Sequence, residues 1–255
     1  MDFTAKYTLN DDEKIVIRKI NDLLRKSEKT YSALYSGFLT PAEQTLISHV
    51  DEFFGSISFT GGYDDAERRL CRVCTEEYAE DNGAPIVLYS AEPTDSSAII
   101  SHRDVLGSLM GLGIKRETIG DILVKNSRSF QFFCHTSVAE FVELNLKKIG
   151  HYRIFPKRSE LSEIVGPERA AVSINVSAMR LDCICAECFG LSRTKAAECI
   201  KKGAVSVNWL VCDDPSKEMK SGDKISMRGK GKVEISDIGG KSKKGRLFVN
   251  ILKYV

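Results

Sequence analysis

Apolar residues recur at helical spacing over residues 11–29, where Val16, Ile20, Leu23 and Leu24 share one face. That spacing predicts a first helix. A second is predicted from Pro41: Thr40 can cap it, proline suits the first helical position, and Glu43 completes a capping box. Leu46, Ile47, Val50, Phe53 and Phe54 then repeat with the same period. The alternation of Ile57-Ser58-Phe59 predicts a strand, and residues 70–74 a returning one, about a turn at Gly61-Gly62-Tyr63. Residues 80–85, with Asn82-Gly83 among them, read as a linker.

From Ile86 the signals alternate. Residues 86–89 read as a strand, and Ser101 with Asp104 opens a helix bearing Val105, Leu106, Leu109 and Met110. Residues 121–124 and 130–134 read as two strands joined by a polar turn. Ser137 and Glu140 make a further capping box, followed by Phe141, Val142, Leu144 and Ile149. Val172, Ile174 and Val176 alternate and close the set as a last strand. Strand–helix–strand–strand–helix–strand is the ferredoxin-like order, which RNA-recognition domains also use. Phe130, Phe132 and Phe133 fit either a core or a base-stacking platform.

Beyond residue 178, Leu181, Ile184, Cys185, Cys188 and Phe189 define an amphipathic helix over 180–189, which Gly190 can end. Ser192 caps a second short helix, with Ala196, Ala197 and Ile200 inward and Gly203 at its end. Val205, Val207 and Trp209 alternate as a strand. Ser221-Gly222-Asp223 is a turn, and Ile225/Met227, Val233/Ile235 and Leu247/Val249/Ile251 supply further strands. The chain therefore reads as α+β in three parts: a small N-terminal α/β domain (1–80), a ferredoxin-like, RNA-recognition-like middle domain (81–177), and a C-terminal two-helix-plus-sheet domain (178–255).

Composition sharpens this picture at one point. The net charge is +2, but residues 178–255 hold 16 basic and 9 acidic side chains, and the remainder is acidic on balance. A basic module on a more acidic partner suits a polyanionic ligand, most simply nucleic acid. No apolar run approaches a membrane span, and the polar start with Asp2, Asp11, Asp12 and Glu13 resembles no targeting peptide. A cytoplasmic protein with no membrane partner is expected, its eight cysteines reduced thiols rather than disulfides.

Candidate chemistry lies in the second short helix. It begins Ser192-Arg193-Thr194-Lys195 and ends Lys201-Lys202-Gly203. Its start offers free N–H groups to a phosphate, and Arg193 adds a bidentate fork. Arg180 lies on the adjoining helix, where Asp182 can cap the helix or pair with an arginine. Arg228, Lys230, Lys232, Lys241, Lys243, Lys244 and Arg246 fall within a short glycine-rich stretch opposed only by Glu234 and Asp237. Phosphate contacts from such residues supply most non-specific affinity. Enzyme signatures fail on inspection. Gly240-Lys241-Ser242 lacks the earlier glycine of a phosphate-binding loop, Gly229-Lys230-Gly231 lacks the context of a dinucleotide site, and no His-Glu-x-x-His occurs. Cys183, Cys185, Cys188 and Cys199 lack zinc-knuckle spacing, and Cys185 and Cys188 share the core face of their helix with Leu181. No catalytic residue, metal, cofactor or small-molecule substrate is expected.

The pieces Arg180-Leu181-Asp182, Leu191-Ser192-Arg193-Thr194-Lys195-Ala196, Ile200-Lys201-Lys202-Gly203, Val205-Ser206-Val207-Asn208 and Arg228-Gly229-Lys230-Gly231 resemble, in order and spacing, the S-four-type RNA-binding domain. Upstream, Phe59-Thr60-Gly61-Gly62-Tyr63 with Asp65-Ala66-Glu67-Arg68, His102-Arg103-Asp104-Val105-Leu106-Gly107, and Ile119-Gly120-Asp121-Ile122 extend the likeness over nearly the whole chain to the bacterial YlmH family. The resemblance implies binding to the large ribosomal subunit carrying a stranded peptidyl-tRNA, in ribosome-associated quality control, with rRNA and tRNA as partners. It also implies a link to cell division, so a division protein is a further partner to consider. The RNA-contact set expected is Arg180, Ser192, Arg193, Lys195, Lys201, Lys202, Asn208, Arg228, Lys230, Lys232, Lys241, Lys243 and Lys244. Rival readings are an rRNA-modifying enzyme, a ribosome assembly factor and a division-associated adaptor.

Overall fold

Asn10 caps the first helix: its side chain accepts from the Glu13 N–H, and Glu13 reaches back to the Asn10 N–H, both at 2.9 Å. A computed structural model describes residues 10–75, 80–161, 164, 169–241 and 245–254 of the chain, in two compact units, Met1–Gly166 and Pro167–Val255. Helix α1 spans Asp11–Thr30 and buries Ile17, Ile20, Leu24 and Ser27, with Val16 and Leu23 at the margin of that stripe. Helix α2 (Pro41–Ser48) starts with the expected Thr40–Glu43 box. It ends earlier than the apolar repeat predicts, in a 3-10 turn at Asp51–Phe53. Phe53 is buried there, and Phe54, assigned to the helix face by spacing, is 91% exposed. Both helices pack on a three-stranded antiparallel sheet of β1 (Leu34–Leu39), β2 (Ile57–Thr60) and β3 (Arg69–Val73), in the order β1-β3-β2. The pattern missed β1, whose Ser36-Gly37 interrupts the alternation.

Residues 80–85 are no free linker. Glu80 exchanges backbone hydrogen bonds with Tyr31 and Ala33, and Asp81 accepts from Arg72 Nε at 2.7 Å and from the Tyr35 hydroxyl at 2.9 Å. The next sheet contains β4 (Ile86–Ala91), β5 (Ile119–Lys125), β6 (Ser129–His135) and, after the small β7 (Lys148–Ile149) and β8 (Tyr152–Arg153) hairpin, β9 (Lys157–Ser159). Its order, β5-β6-β4-β9, is the ferredoxin-like one. Helices α3 (His102–Gly111) and α4 (Thr136–Asn145) share a core with one face. Helix α4 starts earlier than the Ser137–Glu140 box predicts, because the His135 ring accepts from the Ser137 N–H as its cap. Phe130 and Phe132 are core beneath these helices. Phe133 points to the other face and is buried with Phe38, Leu70 and Leu88, against the N-terminal sheet. None of the three phenylalanines is a stacking platform.

This sheet-to-sheet seam explains the upstream motifs. Asp121 accepts from the Tyr63 hydroxyl at 2.8 Å and from the N–H groups of Glu67 and Arg68 at 2.7 and 2.9 Å. Tyr63 stacks on Phe133, and Arg68 donates to the carbonyls of Phe38 and Ile119. At Gly120 a Cβ would lie 2.7 Å from the Phe38 ring, so only glycine fits. Burial pushes the Asp121 carboxyl above its usual range despite these donors.

The second unit holds β10 (Arg169–Val176), α5 (Leu181–Phe189), α6 (Arg193–Lys201), β11 (Val205–Val207), β12 (Leu210–Val211), β13 (Lys224–Met227), β14 (Gly231–Lys241) and β15 (Leu247–Tyr254). Its antiparallel sheet runs β10-β15-β14-β13-β11-β12. Strand β10, expected to close the middle sheet, pairs along its whole length with β15 instead. The fourth strand of the middle sheet is the polar β9, antiparallel to β4. Helices α5 and α6 cover one face of the C-terminal sheet, burying Leu181, Ile184, Cys185, Ala196 and Ile200 against Val205, Ile225, Val233, Ile235, Val249 and Ile251. Trp209 does not continue β11. With Asn208 it forms a two-residue turn to β12, both at positive φ (48° and 67°). Among the described residues no helix is long and apolar enough to cross a membrane.

Candidate nucleic-acid interface

The interface is built around a buried carboxylate. Asp182, in the first turn of α5, has a side chain only 6% exposed. Arg180 grips it with two hydrogen bonds, Nε to Oδ1 at 3.1 Å and Nη2 to Oδ2 at 3.0 Å. Arg193, at the first position of α6, donates Nε to the same Oδ2 at 2.9 Å while its side chain stays 55% exposed. Its terminal nitrogens therefore remain on the surface side of a fixed fork. Burial alone would raise the Asp182 carboxyl, but the bonds from Arg180 and Arg193 outweigh it and hold the group below the usual carboxylate range.

Local sequence fixes this arrangement. Gly190 takes the left-handed conformation (φ 64°) that ends α5, and the Ser192 hydroxyl accepts the Lys195 N–H at 3.2 Å to start α6. Backbone bonds from Leu181 to Lys217 and from Asp182 to Pro215 brace the start of α5. Helix α6 packs through the small Ala196 and through Ile200, leaving Arg193, Lys195, Lys201 and Lys202 exposed, with Glu198 as the acidic residue among them. The turn between β13 and β14 joins this group: the Arg228 N–H donates to the Ala204 carbonyl at 2.9 Å, directly after Lys201-Lys202-Gly203. Arg228 and Lys230 are both exposed, in a turn shaped by Gly229 and Gly231 at positive φ.

The remaining expected contacts lie elsewhere. The Asn208 amide is engaged in its turn, donating to Asp223 at 2.8 Å and accepting the Lys224 N–H at 2.9 Å. Lys232 lies on the sheet face opposite the helices, above the Trp209 and Tyr254 rings. Lys241 ends β14 opposite Leu247; Lys243 and Lys244 fall outside the described residues. Arg246 bonds Glu187 at 2.7 Å and the Asn175 carbonyl. Cys185 is core, its thiol pushed up to about 12 by burial. The double role of Asp182 was only half visible in the sequence: Arg180-Leu181-Asp182 offered a pairing, but Arg193 is brought to the same carboxylate by the fold.

A ferredoxin-like sheet domain together with a two-helix, basic-faced sheet module defines an RNA-binding protein of the S4-domain class. One family pattern, described as "Putative RNA-binding domain in YlmH", matches residues 86–163, and that of the S4 domain matches residues 179–225. The chain is 32% identical over 242 residues to ribosome-associated protein quality control protein P2 of Bacillus subtilis (strain 168), spanning 92% of this chain and 93% of that one. It belongs to the YlmH family. Among solved structures, the cell division protein ylmH from Streptococcus pneumoniae matches 63% of this chain and 98% of its own, with a TM-score of 0.51 and 20% identity, which is a likeness of fold.

Proposed function

We propose that the protein is a non-catalytic, cytoplasmic RNA-binding factor that grips structured rRNA and tRNA on the large ribosomal subunit, in quality control of stalled peptidyl-tRNA complexes. The observation that carries this reading is the α6 face, where Arg193, held by Asp182, leads a row of exposed lysines that Arg228 and Lys230 extend. Such a surface reads phosphate positions and helix shape rather than base identity. Arg180 steadies the fork from beside it, and Ser192 and Asn208 act through the helix cap and turn they build. Lys241, which ends β14, and Lys243 and Lys244, which follow it in the sequence, are the further cations proposed to meet RNA. The name of the Bacillus relative supports the ribosomal assignment.

In-cell crosslinking followed by sequencing of the attached RNA tests the proposal. Large-subunit rRNA recovered together with tRNA is the expected result. Small-subunit precursor RNA alone would make it an assembly factor, and loss of a modified nucleoside on gene deletion would make it an enzyme. Recovery of a division protein without RNA would make it an adaptor.

A further inference from the structure

The C-terminal sheet has a second face. Strand alternation sends Val233, Ile235, Val249 and Ile251 into the core beneath α5 and α6. The alternate positions carry Arg169 on β10, Lys224 on β13, Lys232 and Glu234 on β14, and Tyr254 on β15, with Arg169 opposite Tyr254, Lys224 opposite Glu234 and Lys232 opposite Ser226. Trp209, the only tryptophan in the chain, stands at the edge of this row. The Lys224 and Lys232 ammonium groups lie 5.2 and 5.1 Å from its ring centroid. Lys232 is also 4.6 Å from the Tyr254 ring, and the Arg169 guanidinium is 5.0 Å from the same ring. Cations and aromatic rings thus alternate across the face: Lys224, Trp209, Lys232, Tyr254, Arg169. Glu234 sits within the row, accepting the Tyr254 hydroxyl at 3.0 Å, with Arg169 and Lys224 at 3.9 and 3.8 Å. Among the described residues the row carries three cations, Lys224, Lys232 and Arg169, and the Glu234 carboxylate; Asp237 lies further along, opposite Asn250.

Two further observations point to a ligand. Ala171, Ser173 and Asn250 continue the same face beyond the half-buried Leu252 and are exposed, so the row runs on into open surface. Trp209 also takes a positive φ (67°), where a two-residue turn favours glycine or asparagine. A bulky ring held in that conformation is a backbone outlier, of the kind that clusters at binding surfaces.

We propose that this face is a second RNA contact, for a short unpaired stretch. A cation–π contact is weak where water reaches it, so backbone phosphates draw Lys224, Lys232 and Arg169 outward, and unstacked bases take their places on Trp209 and Tyr254. A duplex offers no unstacked bases, so the ligand class differs from the structured RNA assigned to α6. The inference shares with the preceding proposal only the premise that the chain meets RNA.

The test uses the full chain and the intrinsic emission of Trp209. An unstructured pyrimidine RNA of about twelve nucleotides, titrated at low salt, is expected to quench that emission, and a blunt-ended two-strand RNA duplex of similar length to leave it nearly unchanged. Anisotropy of the labelled oligonucleotide is expected to show roughly tenfold weaker binding for Trp209→Ala. Lys224→Glu with Lys232→Glu, which leaves the rings in place, is expected to weaken it at least as much with an unchanged circular dichroism spectrum. Arg193→Glu with Lys202→Glu is expected to keep single-strand binding, so failure of the α6 assignment and failure of this one are distinguishable. Unchanged emission on adding the oligonucleotide would overturn the proposal. So would wild-type affinity in the Lys224/Lys232 variant.

Discussion

Three guanidinium hydrogen bonds converge on one almost fully buried carboxylate at Asp182, while both arginines keep part of their surface in water. That asymmetry makes Asp182 a positioning residue. Asn at this position keeps the shape but removes the charge and turns an N–H₂ toward one arginine. Asp182→Asn is expected to weaken structured-RNA binding about tenfold while the circular dichroism spectrum stays native. Because the folded carboxyl titrates below its unfolded value, the stability it contributes is fully present above the ordinary carboxylate range, near pH 3.9. It is lost as the pH falls through the lower, folded value. The difference in thermal stability between wild type and Asp182→Asn should therefore be constant above about pH 5 and shrink below about pH 4; a difference independent of pH would mean that the charge is not what binds the arginines. At this scale the sequence was partly legible. Ser192, Gly190 and the lysines of α6 stand where their residue types place them. Trp209 does not, because Val205 and Val207 set an alternation that the indole continues, and a turn of Asn208-Trp209 carries no glycine to announce itself.

Among the elements, those with a buried stripe were readable and those without one were not. Helices α1, α2, α3, α5 and α6 have caps or apolar periods that the chain displays; in α4 the expected Phe141 and Leu144 are exposed, Ile149 lies in β7, and the buried stripe is Ala139 and Val142. Strand β9, Lys157-Arg158-Ser159, has no apolar pattern, since it is an edge strand whose Arg158 reaches Glu143. Strand β10 has a clear pattern but the wrong expected neighbour: alternation fixes which side chains face inward, not which of two sheets receives them. The seam between the first two sheets is likewise a product of distant segments, visible in the chain only as motifs without a reason. Its tightness makes a prediction. A methyl group at Gly120 would press on Phe38 and Phe133, so Gly120→Ala is expected to destabilise the protein by about 1–3 kcal/mol, read as a fall of several degrees in melting temperature. RNA binding through α6 should survive at lower temperature. A variant as stable as wild type would mean that the seam is loosely packed.

For the molecule as a whole, the decisive property is where its charge resides. The chain is nearly neutral, yet its C-terminal unit is strongly basic, and the fold gathers Arg193, Lys195 and Lys201 on α6 and Lys202 at its C-cap with Arg228 and Lys230 on the adjoining turn. If those six groups meet phosphates, the logarithm of affinity for structured RNA should fall with the logarithm of salt at a slope of about −4 to −5. A slope near zero would assign binding to uncharged contacts. The most direct measurement is co-sedimentation with large ribosomal subunits of the Arg193→Glu, Lys202→Glu double variant, with its melting temperature recorded alongside. Loss of co-sedimentation at an unchanged melting temperature is the predicted result; wild-type co-sedimentation would contradict the assignment of this surface.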